Sequence, residues 1–303
     1  MTPLEVLLER TKGPPFPLPP LLRGWYGPLR LQARRGRPCV YANLACTLDG
    51  VASFGGRGSG GSDITGPFPP DRMVMGLLRA VADAVVVGAG TFRAIPHHRW
   101  IASQIYPRLA GTFARLRTDL GLPPYPVNVI VSASGELDLG LPVFHTPGLK
   151  VLVVTTRAGE ARLTARRWPE GPEVWAGGEG PTLRARTVLR AISRHGPLRR
   201  VLLEGGPHLL GKFLKEGLLD DLFLTVAPQV GGRSDAARRV SLVEDAAFGP
   251  DRPLWAELRS VRSSRDHLFL RYATNSGGRR GGWTGAVPSG APPTRGPKGP
   301  PRG

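Results

Sequence analysis

Short, continuous apolar segments recur along the middle of this chain, and helical patterns separate several of them. The apolar runs include DAVVVGA (83–89), VNVIVS (127–132), KVLVVTT (150–156) and RRVLLE (199–204). Runs of this length without alternation are typical of strands that are buried on both faces of a sheet. DRMVMGLLRAVA (71–82), in contrast, spaces its apolar residues like one face of a helix. Alternating strands and helices predict an α/β fold in which helices cover the sheet.

The last third of the chain predicts antiparallel pairing. After a helix predicted at GPHLLGKFLKEG (206–217), strands are predicted at DLFLTVAP (221–228), LWAELRSVRS (254–263) and HLFLRYAT (267–274). The turn that joins the last two strands is short enough for a hairpin. The predicted fold is therefore a mixed, mostly parallel sheet flanked by helices, with a carboxyl-terminal antiparallel hairpin.

The composition predicts three regions along the chain. Residues 1–36 contain the stretch GPPFPLPP (13–20), whose prolines predict an extended arm rather than a helix or a central strand. Residues 37–274 carry the predicted strands and helices and form the predicted domain. Residues 275–303 are rich in glycine, proline and arginine, which predicts a disordered basic tail.

The net charge of +18 raises the alternative of a nucleic-acid-binding protein. Much of this charge lies in the predicted arm and tail, and most of it is arginine. A moderately basic core also favours the approach of anionic small molecules, so nucleic acid is not the favoured partner. No run of 18 apolar residues and no signal peptide is evident, so we expect a cytoplasmic protein without a membrane span. The cysteines, Cys39 and Cys46, predict no metal site.

Two glycine-containing turns follow predicted strands and indicate a phosphate-bearing ligand. In VVVGAGTFR (85–93), Gly88 and Gly90 follow a buried strand, the place where open α/β sheets bind ligands. In EGGPHLLGK (204–212), Pro207 suits the first turn of a helix, and the glycines allow backbone N–H groups to meet an anion. An ordinary tight turn is the alternative at both places.

Two carboxylates accompany these turns. Glu204 would be a poor neighbour for a pyrophosphate, so we expect it to bind a hydroxyl or amine of a second ligand. Asp49 lies in an Asp-Gly turn and is either a turn former or a carboxylate at the lip of a pocket. RGSGGSDITG (57–66) predicts a mobile lid whose hydroxyls could serve a phosphate. The motifs of zinc deaminases, α/β-hydrolases and Walker A ATPases are absent, which excludes those chemistries.

Three segments, in order, resemble the reductase domain of bacterial riboflavin biosynthesis, a family with a dihydrofolate-reductase-like fold. NLACTLDGVAS (43–53) resembles the family pattern LAxSLDGxxA, and LLRAVADAVVVGAGTFRA (77–94) resembles LRAxADAVLVGAGTVRAD. VLLEGGPHLLGKFLKEGLLDDLFLTVAPQVGG (201–232) resembles EGGPTLLGxxLxxGLVDELxLxxAPxxxG. The resemblance covers residues 37–273.

This resemblance implies an NADPH-dependent oxidoreductase that reduces 5-amino-6-(5-phosphoribosylamino)uracil to its ribitylamino form. Asp49 and Glu204 are the implied catalytic carboxylates, which would stabilise a cationic carbon–nitrogen unit. Ser62, Arg79 and Glu204 are the implied contacts to the phosphorylated substrate. The implied cofactor contacts are Ala45, Gly88, Gly90, Thr91, Ser132, Gly205, Gly206, Pro207, His208, Leu209, Leu210, Gly211 and Lys212.

Hydroxyl groups at two further strand ends predict a preference for NADPH over NADH. Ser132, Thr155 and Thr156, followed by Arg157, could hold the 2′-phosphate. Ile95, however, stands where the family has an aspartate that touches the cofactor. A reductase of another pyrimidine- or pterin-like substrate, including dihydrofolate, therefore remains an alternative.

Two expectations concern other proteins. No deaminase half accompanies the reductase motifs, so we expect another protein to perform the deamination if this chain makes riboflavin. Members of the family pair through their sheet edges, and HLFLRYAT offers an apolar strand that would be a liability at an exposed edge. A homodimer is therefore expected.

Overall fold

The computed structural model describes residues 2–31, 36–55, 61–165, 171–196, 198–234 and 239–274. Its strands are β1 (Glu5–Glu9), β2 (Cys39–Cys46), β3 (Val51–Ser53), β4 (Ala84–Gly88), β5 (Val127–Val131), β6 (Val151–Thr155), β7 (Glu173–Ala176), β8 (Arg200–Leu203), β9 (Asp221–Val226), β10 (Val240–Ser241), β11 (Glu257–Ser264) and β12 (His267–Ala273). Its α-helices are α1 (Pro20–Tyr26), α2 (Gly61–Thr65), α3 (Pro69–Val81), α4 (Ala89–Ala94), α5 (Ala102–Ile105), α6 (Ala110–Asp119), α7 (Arg157–Thr164), α8 (Ala185–Ser193) and α9 (Pro207–Lys215). Short 3-10 helices occupy Pro107–Leu109 and Pro142–His145.

Ten of these strands form one sheet, in the order β1-β11-β12-β9-β2-β8-β4-β5-β6-β7. The seven strands from β9 to β7 in this order are parallel to their neighbours, whereas β12, β11 and β1 pair antiparallel. The mixed, mostly parallel sheet and the carboxyl-terminal hairpin are therefore confirmed. Because the seven parallel strands point the same way, their carboxyl ends share one edge of the sheet, which we call the carboxyl edge.

Helices cover both faces of the parallel region. On β4, Val85 and Val87 pack into the cluster that contains Leu77 of α3, whereas Val86 packs on the opposite side with Phe213 of α9. Burial on both faces explains why β4 reads as a continuous apolar run, since each such side chain contributes about 1.5–3 kcal/mol when removed from water. Gly76 lets α3 approach α6, because a Cβ at this position would lie 2.6 Å from the ring of Phe113.

The amino-terminal segment corrects the prediction of an extended arm at residues 1–36. Residues 20–26 form α1, and Leu22 and Tyr26 are buried in the same core cluster as α3. The prolines do not prevent the helix, because Pro20 occupies its first turn, where a missing N–H costs nothing. Arg262 of β11 fastens the segment by donating to the carbonyls of Tyr26 and Pro28. The described part of this segment is therefore packed into the domain.

The same segment also determines which strand lies at this end of the sheet. β12 lies between β11 and β9, and β1 covers the outer side of β11, so the hairpin is not exposed at an edge. The strand at that end of the sheet is β1, which exposes about half of Val6 and Leu7. Pairing of two copies through the hairpin is therefore wrong as a mechanism, and the homodimer itself stays a prediction.

The remaining expectations concern the lid, the tail and membrane-spanning helices. Residues 61–65 of the predicted lid form α2, so this part of the lid is helical, and residues 57–60 lie outside the described residues. The predicted tail, 275–303, also lies outside them. Across the segments that the structure describes, no helix combines the length and the apolar character needed to cross a membrane.

Candidate active site

The carboxyl edge brings together residues that lie far apart in the sequence. Val86 pairs with Leu203, so Glu204 follows β8 beside the end of β4. Gly88 pairs with Val131, which places Ser132 next along the edge. The order β8-β4-β5-β6 therefore lines up the predicted residues Glu204, Gly88, Ser132 and Thr155, and Ala45 lies on β2, the other neighbour of β8.

The two glycine turns predicted from the sequence meet at this edge. A Cβ on Gly205 would lie 2.9 Å from both the Gly88 nitrogen and the Val87 Cα, so only glycine allows this approach. Gly206 has a φ of 58°, a conformation that other residues rarely adopt. A Cβ on Gly206 would point toward Thr91 Oγ1, at 3.7 Å. The turn after β8 and the turn at the end of β4 thus lie in direct contact and form one continuous backbone surface.

Helix α9 begins at this surface. The N–H groups of Leu209 and Leu210 donate to the carbonyl of Gly206, whereas those of Gly205 and Gly206 meet no acceptor within the described ranges. Pro207 has no N–H and starts the helix. The helix dipole and the two free N–H groups make this turn a place where an anion could bind.

The rest of α9 packs elsewhere, which limits the cofactor contacts predicted along residues 207–212. Leu209 and Leu210 belong to the core, and a Cβ on Gly211 would overlap the carbonyl of Glu244. His208 is exposed and its Nδ1 lies 2.8 Å from Asp245 Oδ2. Residues 208–211 are therefore engaged away from the turn, so their predicted cofactor contacts stay predictions. Lys212 lies farther along the helix and is half-buried.

Of the strand-end hydroxyls, Ser132 differs from the two threonines. Its side chain is buried, and its Oγ has no hydrogen-bond partner in the described part of the chain. Thr156 caps α7 and donates to Ala133 O at 2.7 Å, and Thr155 is buried beneath Gly159. Ser132 is thus the hydroxyl with unused hydrogen-bonding capacity, since an orphaned buried hydroxyl indicates an absent partner.

Glu204 does not stand alone but forms a buried ion pair with Arg79. The carboxylate accepts Nη2 of Arg79 at 2.5 Å and Nε at 2.9 Å, and the two side chains are 3% and 1% exposed. The remaining nitrogen, Nη1, lies 3.0 Å from His98 Nε2 and 3.3 Å from Ile101 O. Arg79 was predicted to bind a substrate phosphate, but all three of its nitrogens are already occupied in this structure.

His98 is uncharged in this environment. Burial, together with the positive charges of Arg79 and Arg99, lowers the pKa of His98 to about 3. Since Arg79 can only donate, Nε2 of His98 accepts and the ring proton resides on Nδ1. The ion pair is thereby completed by a neutral acceptor, which avoids a second buried positive charge.

The carboxyl end of α3 holds Arg79 in place. Tyr41 of β2 donates its hydroxyl to Leu78 O at 2.8 Å. Arg117 of α6 donates to Ala80 O at 3.1 Å and to Ala82 O at 2.8 Å. These bonds satisfy carbonyls that a helix end leaves unpaired. Arg79 is therefore aimed at Glu204 by a fixed helix end.

Asp49 is also engaged, but at the surface. Its carboxylate accepts Thr47 Oγ1 at 2.5 Å and the N–H groups of Gly231 and Gly232 at 2.9 and 2.8 Å. The Thr47 hydroxyl and the two amides lower the pKa of Asp49 to about 2. Asp49 is therefore ionised at neutral pH and cannot donate a proton there. Its predicted catalytic role stays a prediction, whereas its role in fixing the turn is visible.

A buried carboxyl that the sequence reasoning missed lies near the site. Asp71, in the first turn of α3, accepts Thr225 Oγ1 at 2.8 Å and Thr65 Oγ1 at 3.2 Å. Burial and, to a smaller extent, the charge of Glu204 raise the pKa of Asp71 to about 6, although the two hydroxyl hydrogen bonds oppose this rise. The only sequence signal for Asp71 was its place in the first turn of a predicted helix, and an acidic residue is common there in any helix.

Comparison with known proteins gives the family. The RibD C-terminal domain matches residues 38–267 of the chain. A 2,5-diamino-6-ribosylamino-4(3H)-pyrimidinone 5′-phosphate reductase of Methanothermobacter thermautotrophicus is 30% identical over 201 residues, which cover 66% of this chain and 82% of that protein. The corresponding enzyme of Archaeoglobus fulgidus is 28% identical over 201 residues, 65% of this chain and 84% of its own length.

A longer relative and a solved structure are also similar to this chain. The riboflavin biosynthesis protein RibD of Mycobacterium tuberculosis is 31% identical over 205 residues, 67% of this chain but 46% of that protein. The crystal structure of a pyrimidine reductase-like protein from Corynebacterium diphtheriae superposes with a TM-score of 0.63 at 23% identity, over 83% of this chain and 97% of that one. The chain belongs to the RibD C-terminal domain family.

Proposed function

We propose that this protein is an NADPH-dependent reductase that converts 5-amino-6-(5-phosphoribosylamino)uracil to its ribitylamino form in riboflavin biosynthesis. The observation that carries the proposal is the meeting of two glycine turns beside Glu204 at the carboxyl edge. The relatives named as pyrimidinone phosphate reductases support the substrate class. The enzyme class is accordingly an oxidoreductase.

The residues present fit a pyrophosphate-bearing cofactor. The turn at Gly205 and Gly206 offers unpaired N–H groups at the start of α9, and no side chain separates it from the turn at Gly88. The unpartnered hydroxyl of Ser132 lies two strands from Glu204 and could bind a further polar group of the cofactor. Gly88, Gly90 and Thr91 would contact the same molecule from the β4 side.

The chain's own groups orient and charge the site. NADPH, when bound, supplies hydride. Glu204 Oε1 accepts one hydrogen bond from Arg79, so it keeps a lone pair for a substrate hydroxyl or amine. A fixed negative oxygen at that point stabilises positive charge that develops on a neighbouring carbon–nitrogen unit. Asp49 and His98 are not proton donors at neutral pH because one stays ionised and the other stays neutral. We propose that water supplies the final proton.

A reductase of another pyrimidine- or pterin-like substrate is the second candidate. Ile95 stands where the family aspartate is expected, and it packs against the apolar core rather than offering a polar group. The side chain of Arg79 is likewise committed to Glu204 and His98. Ile95 stands at an implied cofactor contact and Arg79 at an implied contact to the substrate phosphate, so both observations favour a different substrate.

Oxidation of NADPH, followed by absorbance, distinguishes the candidates. The full chain is supplied separately with the uracil ribosylamine phosphate, its 2,5-diaminopyrimidinone counterpart and dihydrofolate, with NADH as the matched cofactor control. Consumption of NADPH with the uracil phosphate, and a product heavier by two hydrogens, is the expected result. Turnover with dihydrofolate alone would select the second candidate, and no turnover with any substrate would refute both.

We also propose that the protein is a cytoplasmic homodimer. The apolar residues Val6 and Leu7, exposed on the end strand β1, support an interface there better than the enclosed hairpin does. Light scattering at micromolar concentration should give twice the chain mass. A monomer mass would contradict the dimer without affecting the proposed reaction.

A further inference from the structure

Two loops beside the site are tied together by Asp49. Besides the bonds from Asp49 to Gly231 and Gly232, the Leu48 N–H donates to Gln229 O at 2.8 Å. The Ala227 N–H donates to Cys46 O at 2.9 Å. Residues 227–232, which we call the clasp loop, are therefore held along the turn that follows β2.

The clasp loop in turn holds α2. Gln229 Nε2 donates to Asp63 O at 2.9 Å and to Ile64 O at 2.8 Å. A five-residue helix has too few internal hydrogen bonds to be stable by itself, so its position depends on such external contacts. Below these bonds Ile64 is buried in a small cluster with Val51 and Ala227. The apolar contact keeps α2 near the sheet, and the amide of Gln229 fixes where its last turn lies.

Ser62, the residue implied to bind the substrate phosphate, lies on α2 and is exposed. We propose that Gln229 is a positioning residue for the phosphate end of the substrate, acting by holding α2 and Ser62, and that Asp49 acts with it by fixing the clasp loop. This inference rests on the proposed function. It gives Asp49 a structural task in substrate binding instead of a direct part in the chemistry.

Gln229→Met tests the inference, because methionine keeps the length and apolar stem of glutamine and removes the two donated bonds. Loss of both bonds leaves α2 less firmly placed, so the KM for the phosphorylated substrate should rise about tenfold. The KM for the dephosphorylated substrate and the Kd for NADPH should stay within about twofold. Asp49→Asn should also raise the KM for the phosphorylated substrate, since Gly231 and Gly232 donate to different carboxylate oxygens and one of these becomes an NH₂ group that cannot accept.

Ser62→Ala completes a double-mutant cycle with Gln229→Met. If Gln229 acts through Ser62, the double variant should be no worse than the worse single variant. Hydrogen exchange of the peptide that contains residues 61–66 provides a readout that needs no substrate, and it should accelerate in Gln229→Met. Fully additive losses, or an unchanged KM for the phosphorylated substrate together with unchanged exchange, would overturn the positioning role.

Failure of the proposed function would look different. In that case the unsubstituted protein itself would not turn over the uracil ribosylamine phosphate, and the inference would fall with it. Failure of the positioning role alone leaves the turnover of the unsubstituted protein intact and affects only the comparison of variants.

Discussion

Asp71→Asn should make the protein more stable at neutral pH, although it removes a charged partner from two hydroxyl groups. Asp71 is 5% exposed, and burial raises its pKa from 3.8 to about 6, while hydrogen bonds from Thr225 and Thr65 partly oppose this rise. The folded protein therefore binds the Asp71 proton more tightly than the unfolded chain does. Stability from this group is present at low pH and is lost as the pH rises from about 4 to about 6.

The magnitude follows from the two pKa values. A difference of about two pH units corresponds to about 3 kcal/mol, at 1.36 kcal/mol for each unit. About 2 kcal/mol of this change should fall between pH 4.5 and pH 7.5. Asparagine has no such titration, and its carbonyl can still accept one hydroxyl. The free energy of unfolding of Asp71→Asn minus that of the parent should therefore rise by about 2 kcal/mol across this range.

Urea denaturation at fixed ionic strength, followed by circular dichroism at several pH values, measures this difference. Other titrating groups contribute equally to parent and variant, so they cancel. Thr225→Val is a useful companion with the opposite effect. It removes a hydrogen bond that lowers the Asp71 pKa, so the loss of stability with rising pH should be larger than in the parent. A difference between parent and Asp71→Asn that is flat with pH would show that the Asp71 pKa is not raised in the folded protein.

Gly206→Val should weaken NADPH binding in a titration, whereas Gly217→Val, at a residue with a similar positive φ and open space around it at the other end of α9, should only destabilise the protein. Equal NADPH affinity in parent and Gly206→Val would refute the phosphate surface. Glu204→Gln should lower the free energy of unfolding by about 3–5 kcal/mol and reduce turnover, because it leaves Arg79 buried without a counter-ion; an unchanged denaturation midpoint would contradict the buried pair. Leu22→Ala should cost about 2–5 kcal/mol of stability, whereas the neighbouring exposed Leu21→Ala should cost less than about 0.5 kcal/mol; equal midpoints would mean that α1 is not docked in solution.

Local patterns predicted the elements that build the site. The continuous apolar runs identified the parallel strands, and the glycines at the end of β4 and just beyond β8 marked the turns that meet at the carboxyl edge. These features are local, because burial on both faces and positive φ are each imposed on a short stretch of chain. The family resemblance rested on the same stretches.

Contacts across long sequence separations could not be predicted in this way. Arg79 and Glu204 are 125 residues apart, and nothing near either residue indicates that the other neutralises it. Asp71 and Thr225 are 154 residues apart and give no joint signal. The prediction of an extended arm was wrong for a related reason. The docking of this segment depends on a distant residue, Arg262, and not on the conformational propensity of its own prolines.

The pairing of β1 with β11 has a consequence during synthesis of the chain. Glu9 and Arg262, which join these strands, are separated by 253 residues. At about 5–20 residues per second, translation needs roughly 12–50 s to deliver the partner of a strand that emerged first. During that interval EVLLE, with three adjacent apolar residues, is a segment of the nascent chain without its strand partner, which is the kind of segment that chaperones bind. Strand β1 must therefore be among the last strands to join the sheet, even though it is made long before β11.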